Sequence, residues 1–108
     1  MSSERRHSQR IDVSLPVTLR LGGRLLPATA LNISSGGMCL RSTEKIIVSD
    51  SPVEVIFDLD QEKRDIAMMG KITRVTSEGK EATLGVQFTN LFSLNRKAID
   101  EYLGKHLH

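Results

Sequence analysis

The stretch Ile11-Asp12-Val13-Ser14-Leu15-Pro16-Val17-Thr18-Leu19-Arg20-Leu21-Gly22-Gly23-Arg24 decides how the rest of the chain is read. Ile11, Val13, Leu15, Val17 and Leu19 are apolar, and Asp12, Ser14, Thr18 and Arg20 between them are polar, which is the period of a strand with one buried face. Gly22-Gly23 follows, and paired glycines reach the positive φ values of a tight hairpin turn without steric cost. A second strand should therefore run back along the first. The segment from Leu25 to Ser34 supplies it, with Leu31 and Ile33 expected on one face and Asn32 and Ser34 on the other.

Outward from this hairpin the same period recurs. Ser35-Gly36-Gly37 breaks the second strand, Met38 to Arg41 forms a short third, and Ser42 to Pro52 reads as a longer connection. Val53, Val55, Phe57 and Leu59 alternate next, before a polar turn from Asp60 to Lys63. A fifth strand begins near Arg64 and carries Ile66, Met68 and Ile72 in one phase. Gly70, where a side chain is expected, predicts a bulge or a close backbone approach. After the turn Glu78-Gly79-Lys80, residues Ala82, Leu84, Val86 and Phe88 make the sixth strand. The period then lengthens. Leu91, Leu94, Ala98 and Tyr102, flanked by Ile99 and Leu103, recur at helical spacing, with Ser93 as N-cap and Gly104 as stop. Six short strands and one one-sided helix predict a six-stranded antiparallel β-barrel plus a C-terminal α-helix, all-β apart from that helix.

A length of 108 residues suits one domain, expected over 1–108, with 1–10 a flexible basic N-terminal arm because Ser2 to Gln9 has little apolar content to bury. Hydrophobic residues at 39% and charged residues at 26% are ordinary for a globular chain. No apolar run approaches the roughly 20 residues that cross a bilayer, and the N-terminus lacks a signal-peptide core. Cytoplasmic localisation without membrane insertion is the expectation. The lone Cys39 cannot form an internal disulfide and reads as a small buried hydrophobe. A net charge of +2, no Trp and one Tyr argue against a dedicated nucleic-acid binder. Arg5, Arg6 and Arg10 nevertheless cluster, which points to a compact anionic partner rather than a long polyanion.

The sequence offers no catalytic or cofactor constellation. His7, His106 and His108 lie in the arm and tail, away from any nucleophile signature, and one cysteine with scattered histidines does not make a zinc site. The acidic run Asp58-Leu59-Asp60-Gln61-Glu62 resembles a calcium loop only superficially. Lys63 stands where that loop needs glycine, so a hairpin turn is expected.

Two constellations remain. Arg6-His7-Ser8-Gln9-Arg10 has the form R-x-x-x-R, and Asn32-Ile33-Ser34-Ser35-Gly36-Gly37 has the form D/N-x-S-x-x-G. Both motifs, in this order, resemble those of PilZ domains, and the likeness extends through Leu15-Pro16-Val17, Gly85-Val86-Gln87-Phe88 and the helix, covering nearly the whole chain. The resemblance implies a non-enzymatic receptor that binds cyclic di-GMP, changes conformation and signals to an unidentified protein partner. An interaction module without nucleotide binding is the alternative. It implies ligand contacts from Arg6, Arg10, Asn32, Ser34 and Gly37, with Arg74 at the position where some members stack an aromatic ring on guanine. Many members carry aspartate where this chain has Asn32. The residue before the first motif, here Arg5, is one that in the family favours an intercalated dimer of the nucleotide when it is arginine. The chemistry agrees. A guanidinium fork can grip a phosphate or the O6/N7 edge of guanine through two parallel hydrogen bonds, and its plane can stack on a base. Asn32 and Ser34 on one strand face would offer an amide and a hydroxyl together, and Gly37 would leave room for close ligand approach.

Overall fold

A computed structural model describes residues 10–44, 51–90 and 93–106. The alternating stretches become strands β1 (Ile11–Leu21), β2 (Arg24–Ser34), β3 (Gly37–Ser42), β4 (Pro52–Phe57), β5 (Ile66–Glu78) and β6 (Glu81–Phe88), followed by helix α1 (Leu94–His106). The strands close into one antiparallel barrel in the order β1-β2-β3-β6-β5-β4. The closing β1–β4 seam is short, running from Val17–Phe57 to Arg20–Glu54.

The inward residues fill the barrel. Leu19, Ile33, Leu40, Val55, Met68, Ile72 and Leu84 are fully buried. Gly22 and Gly23 both take positive φ, as the two-residue turn between Leu21 and Arg24 requires. The β3–β6 and β5–β6 approaches are also tight. A Cβ on Gly70 would lie 2.5 Å from the Gln87 carbonyl oxygen, so the missing side chain marks a close backbone approach, and its pairing with Phe88 is regular.

Three ladder irregularities depart from simple alternation. One lies between Asp12 and Leu15 of β1, one leaves Leu31 of β2 without a partner on β3, and one leaves Thr73 of β5 without a partner on β6. The second puts both Ala30 and Ile33 in the core, so Leu31 is half-buried and does not share the inward phase of Ile33. The third ends the inward phase of Ile72, turning Thr73 and Arg74 both outward. Barrel curvature is commonly set by such bulges.

Helix α1 packs on the start of β5 through Ile99, Tyr102 and Leu103. The Ser93 hydroxyl accepts from the Arg96 amide at 3.1 Å, making it the expected N-cap. Asn95 donates to the Ala67 carbonyl at 2.9 Å, tying the first turn to the sheet. Two helix expectations are corrected. Leu94 is 85% exposed, because the buried stripe runs through Ile99, Tyr102 and Leu103. Gly104 lies inside the helix, which continues to His106, where Nδ1–H donates to the Tyr102 carbonyl at 2.9 Å. Leu91 lies outside the described residues.

The acidic loop is the expected turn. Asp60 Oδ1 accepts from the amides of Glu62 at 2.9 Å and Lys63 at 2.7 Å. The Lys63 amide bond is the main cause that holds the Asp60 carboxyl below its ordinary value. The fifth strand begins at Ile66 rather than Arg64, whose Nε lies 3.7 Å from Asp58 Oδ2.

Candidate functional site

Strand register brings two of the candidate residues, Asn32 and Arg74, into one line on the outside of the barrel. Asn32 of β2 pairs with Cys39 of β3, Cys39 with Gly85 of β6, and Gly85 with Arg74 of β5. At about 4.8 Å per strand, this row spans roughly 14 Å. The Leu31 bulge sits beside one end and the Thr73 bulge beside the other. Thr73 donates its hydroxyl to the Gly85 carbonyl at 3.3 Å, pinning the second bulge to β6.

Along this row lies an open cleft of about 440 Å³, large enough for a small organic ligand. Arg10 and Asn32 form one wall, Thr73, Arg74 and Thr76 the other, and Cys39, Thr83, Gly85 and Gln87 the floor. None of the lining residues is acidic. The rows on either side add cations: Lys71 pairs with Gln87 and Arg41 with Thr83, and both are exposed. Asp12 pairs with Asn32 at the end of the row, and the four cations Arg10, Arg41, Lys71 and Arg74 around it outnumber that carboxylate, a balance that favours an anion.

Arg10 Nη1 donates to Asn32 Oδ1 at 3.0 Å. Because a guanidinium only donates, the amide oxygen must face Arg10, which directs the Asn32 N–H groups elsewhere. Arg74 faces outward beside the floor and forms no ion pair with Glu78.

Ser34 and Gly37 have a different place from Asn32. Ser34 is 3% exposed and does not line the cleft. Its hydroxyl donates to the Gly37 carbonyl and accepts from the Gly36 amide, both at 3.3 Å, so it braces the β2–β3 turn. The close approach that Gly37 accommodates is that of β6: a Cβ there would overlap the Val86 carbonyl oxygen. Arg5 and Arg6 lie outside the described residues.

Sequence reasoning had given no site role to Thr73, Thr83, Gly85 or Gln87, and had placed Cys39 in the core. Cys39 is half-buried on the cleft floor. The outward phase of β6, Thr83-Gly85-Gln87 against inward Leu84 and Val86, was the signal that could have found three of them.

The chain is thus a closed six-stranded barrel with a helix packed on β5 and an open cleft on its outer face. It belongs to the PilZ domain family, whose model matches residues 4–105. Among solved structures it resembles the inhibitor of motility MotI/DgrA of Bacillus subtilis, with a TM-score of 0.75 and 16% identity over 91% of this chain and 49% of that one. It also resembles the PlzA protein of Borreliella burgdorferi, solved in complex with c-di-GMP, with a TM-score of 0.51 and 14% identity over 96% of this chain and 55% of that one. At these identities the likeness is one of fold, and the chain spans about half the length of each. Among curated proteins, no sequence matches. No helix among the described residues is long and apolar enough to cross a membrane.

Proposed function

We propose that the chain is a receptor for cyclic di-GMP, not an enzyme, and that it signals through a conformational change to a protein partner. The observation that carries this is the line Arg10–Asn32–Cys39–Gly85–Arg74, which sets two guanidinium groups on opposite walls of an acid-free cleft. Cyclic di-GMP presents two phosphodiesters and two guanines. Arg10 would take a phosphate or a guanine edge, Arg74 would stack on a base, and Asn32 would contact the ligand with the amide hydrogens that Arg10 leaves available. Ser34 and Gly37 would act by shaping the turn that presents Asn32, and Arg5 and Arg6 would close over the ligand from the arm. PlzA, a protein of the same fold, is known in complex with this nucleotide.

Isothermal calorimetry with cyclic di-GMP tests the reading. Saturable heat is expected, and no heat at high micromolar nucleotide would leave the protein-interaction module in its place. Titration at protein concentrations far above the dissociation constant then reads stoichiometry. We expect an intercalated dimer, two nucleotides per chain falling to one in Arg5→Leu; one per chain in the unaltered protein refutes the dimer.

A further inference from the structure

Three glycines sit within the strands that build the cleft face, and they are not alike. At Gly37 and Gly70 an added Cβ would strike the backbone of β6, so strand packing explains both. At Gly85 it would meet the Arg74 Cβ and Thr73 Oγ1 at 3.4 Å and the Arg74 amide nitrogen at 3.9 Å, with no backbone atom closer than ordinary contact. Gly85 is also absent from the residues with positive φ, which among glycines are Gly22, Gly23 and Gly79. Neither conformation nor packing therefore requires glycine at this position, although glycine weakens a strand interior.

What distinguishes Gly85 is its place. It lies mid-row on the cleft floor, with Cys39 on one side and Thr73 and Arg74 on the other, raised by their bulge. Along its own strand the outward neighbours are Thr83 and Gln87, so Gly85 is a notch between two polar side chains. Glycine in a strand commonly marks the close approach of a ligand, and a backbone bare of Cβ offers a flat surface. The notch is bounded by a hydroxyl and an amide that can bond the edge of a ring, and by a guanidinium that can stack on its face.

We infer that Gly85 is the floor of a purine subsite: a base lies flat on its backbone between Cys39 and Arg74, with its edges toward Thr83 and Gln87. This rests on the reading of the cleft as a nucleotide site, and the following experiment separates the two. Cyclic di-GMP is titrated calorimetrically into the unaltered protein, Gly85→Ala and Gly85→Val, with thermal melts of each. Alkylation of Cys39 by iodoacetamide is timed with and without nucleotide. Both variants should melt at or above the temperature of the unaltered protein. Gly85→Ala should bind about tenfold more weakly and Gly85→Val beyond a hundredfold. Nucleotide should slow alkylation of Cys39 several-fold in the unaltered protein and not in Gly85→Val. If Gly85→Val folds poorly, Gly85→Ala and the thiol protection carry the test. Nucleotide binding by the unaltered protein with undiminished binding in both variants and no protection of Cys39 overturns the subsite alone. No binding by the unaltered protein overturns the receptor reading and the subsite with it.

Discussion

Gly37→Ala separates the two roles that a motif glycine can have. Gly37 opens β3 opposite Gln87, one residue before the pair Met38 and Val86, and the adjoining Gly36 carbonyl accepts from the Phe88 amide at 2.9 Å. A Cβ at Gly37 would occupy the space of the Val86 carbonyl oxygen, a backbone atom that no rotamer change can move. β3 must therefore retreat from β6 at this end. Overpacking of this kind costs about 1–3 kcal/mol, and each ladder hydrogen bond lost adds about 0.5–1.5 kcal/mol. The sum is roughly 2–4 kcal/mol. For a domain near this size, a loss of that order lowers the melting temperature by roughly 10–25 °C. Thermal unfolding followed by far-ultraviolet circular dichroism measures it directly. A variant that melts within about 2 °C of the unaltered protein yet has lost cyclic di-GMP binding would refute the packing explanation and return Gly37 to the ligand.

Other substitutions divide along the same line between turn and cleft. Arg10→Ala removes an exposed guanidinium, so its melting temperature should hold while nucleotide affinity falls roughly tenfold to a hundredfold, the equivalent of one charge-assisted bond of about 1.5–3 kcal/mol; unchanged affinity by calorimetry would remove Arg10 from the site. Ser34→Ala removes a buried hydroxyl that donates to the Gly37 carbonyl and accepts from the Gly36 amide, and should lower the unfolding free energy by about 0.5–1.5 kcal/mol for each bond lost in urea titration, more than it weakens nucleotide contacts directly. Asp60 is held below its ordinary value chiefly by the Lys63 amide, so its carboxylate stabilises the folded state above the unfolded-state value, and that contribution disappears as pH falls through the lower folded-state value. The stability gap between the unaltered protein and Asp60→Asn should accordingly be widest near neutral pH and close in acid. A gap in urea midpoint that does not change with pH would contradict this.

Alternation made the strands and the barrel legible, because a strand with one buried face repeats every second residue and Gly22-Gly23 can only turn the chain back. Ser93 was legible as a cap for the same local reason. The interruptions were not. A bulge adds one residue to one strand only, and its position depends on the partner strand, which local sequence does not reveal. Hence Leu31 was assigned the phase of Ile33, Cys39 was placed in the core and Gly85 was given no site role, because only cross-strand register places Cys39 and Gly85 beside Asn32 and Arg74. The helix stripe failed at Leu94 for a related reason: which face is buried depends on the strand beneath it. These errors concentrate at the cleft, and the concentration has a cause. An unbroken ladder on this part of the barrel would alternate regularly and leave a smooth outer face. The bulge beside Asn32 and the bulge beside Arg74 break that regularity at both ends of one row, raising two walls with a glycine between them. The departures from alternation that obscure the site in the sequence are therefore the features that form the cleft in the fold.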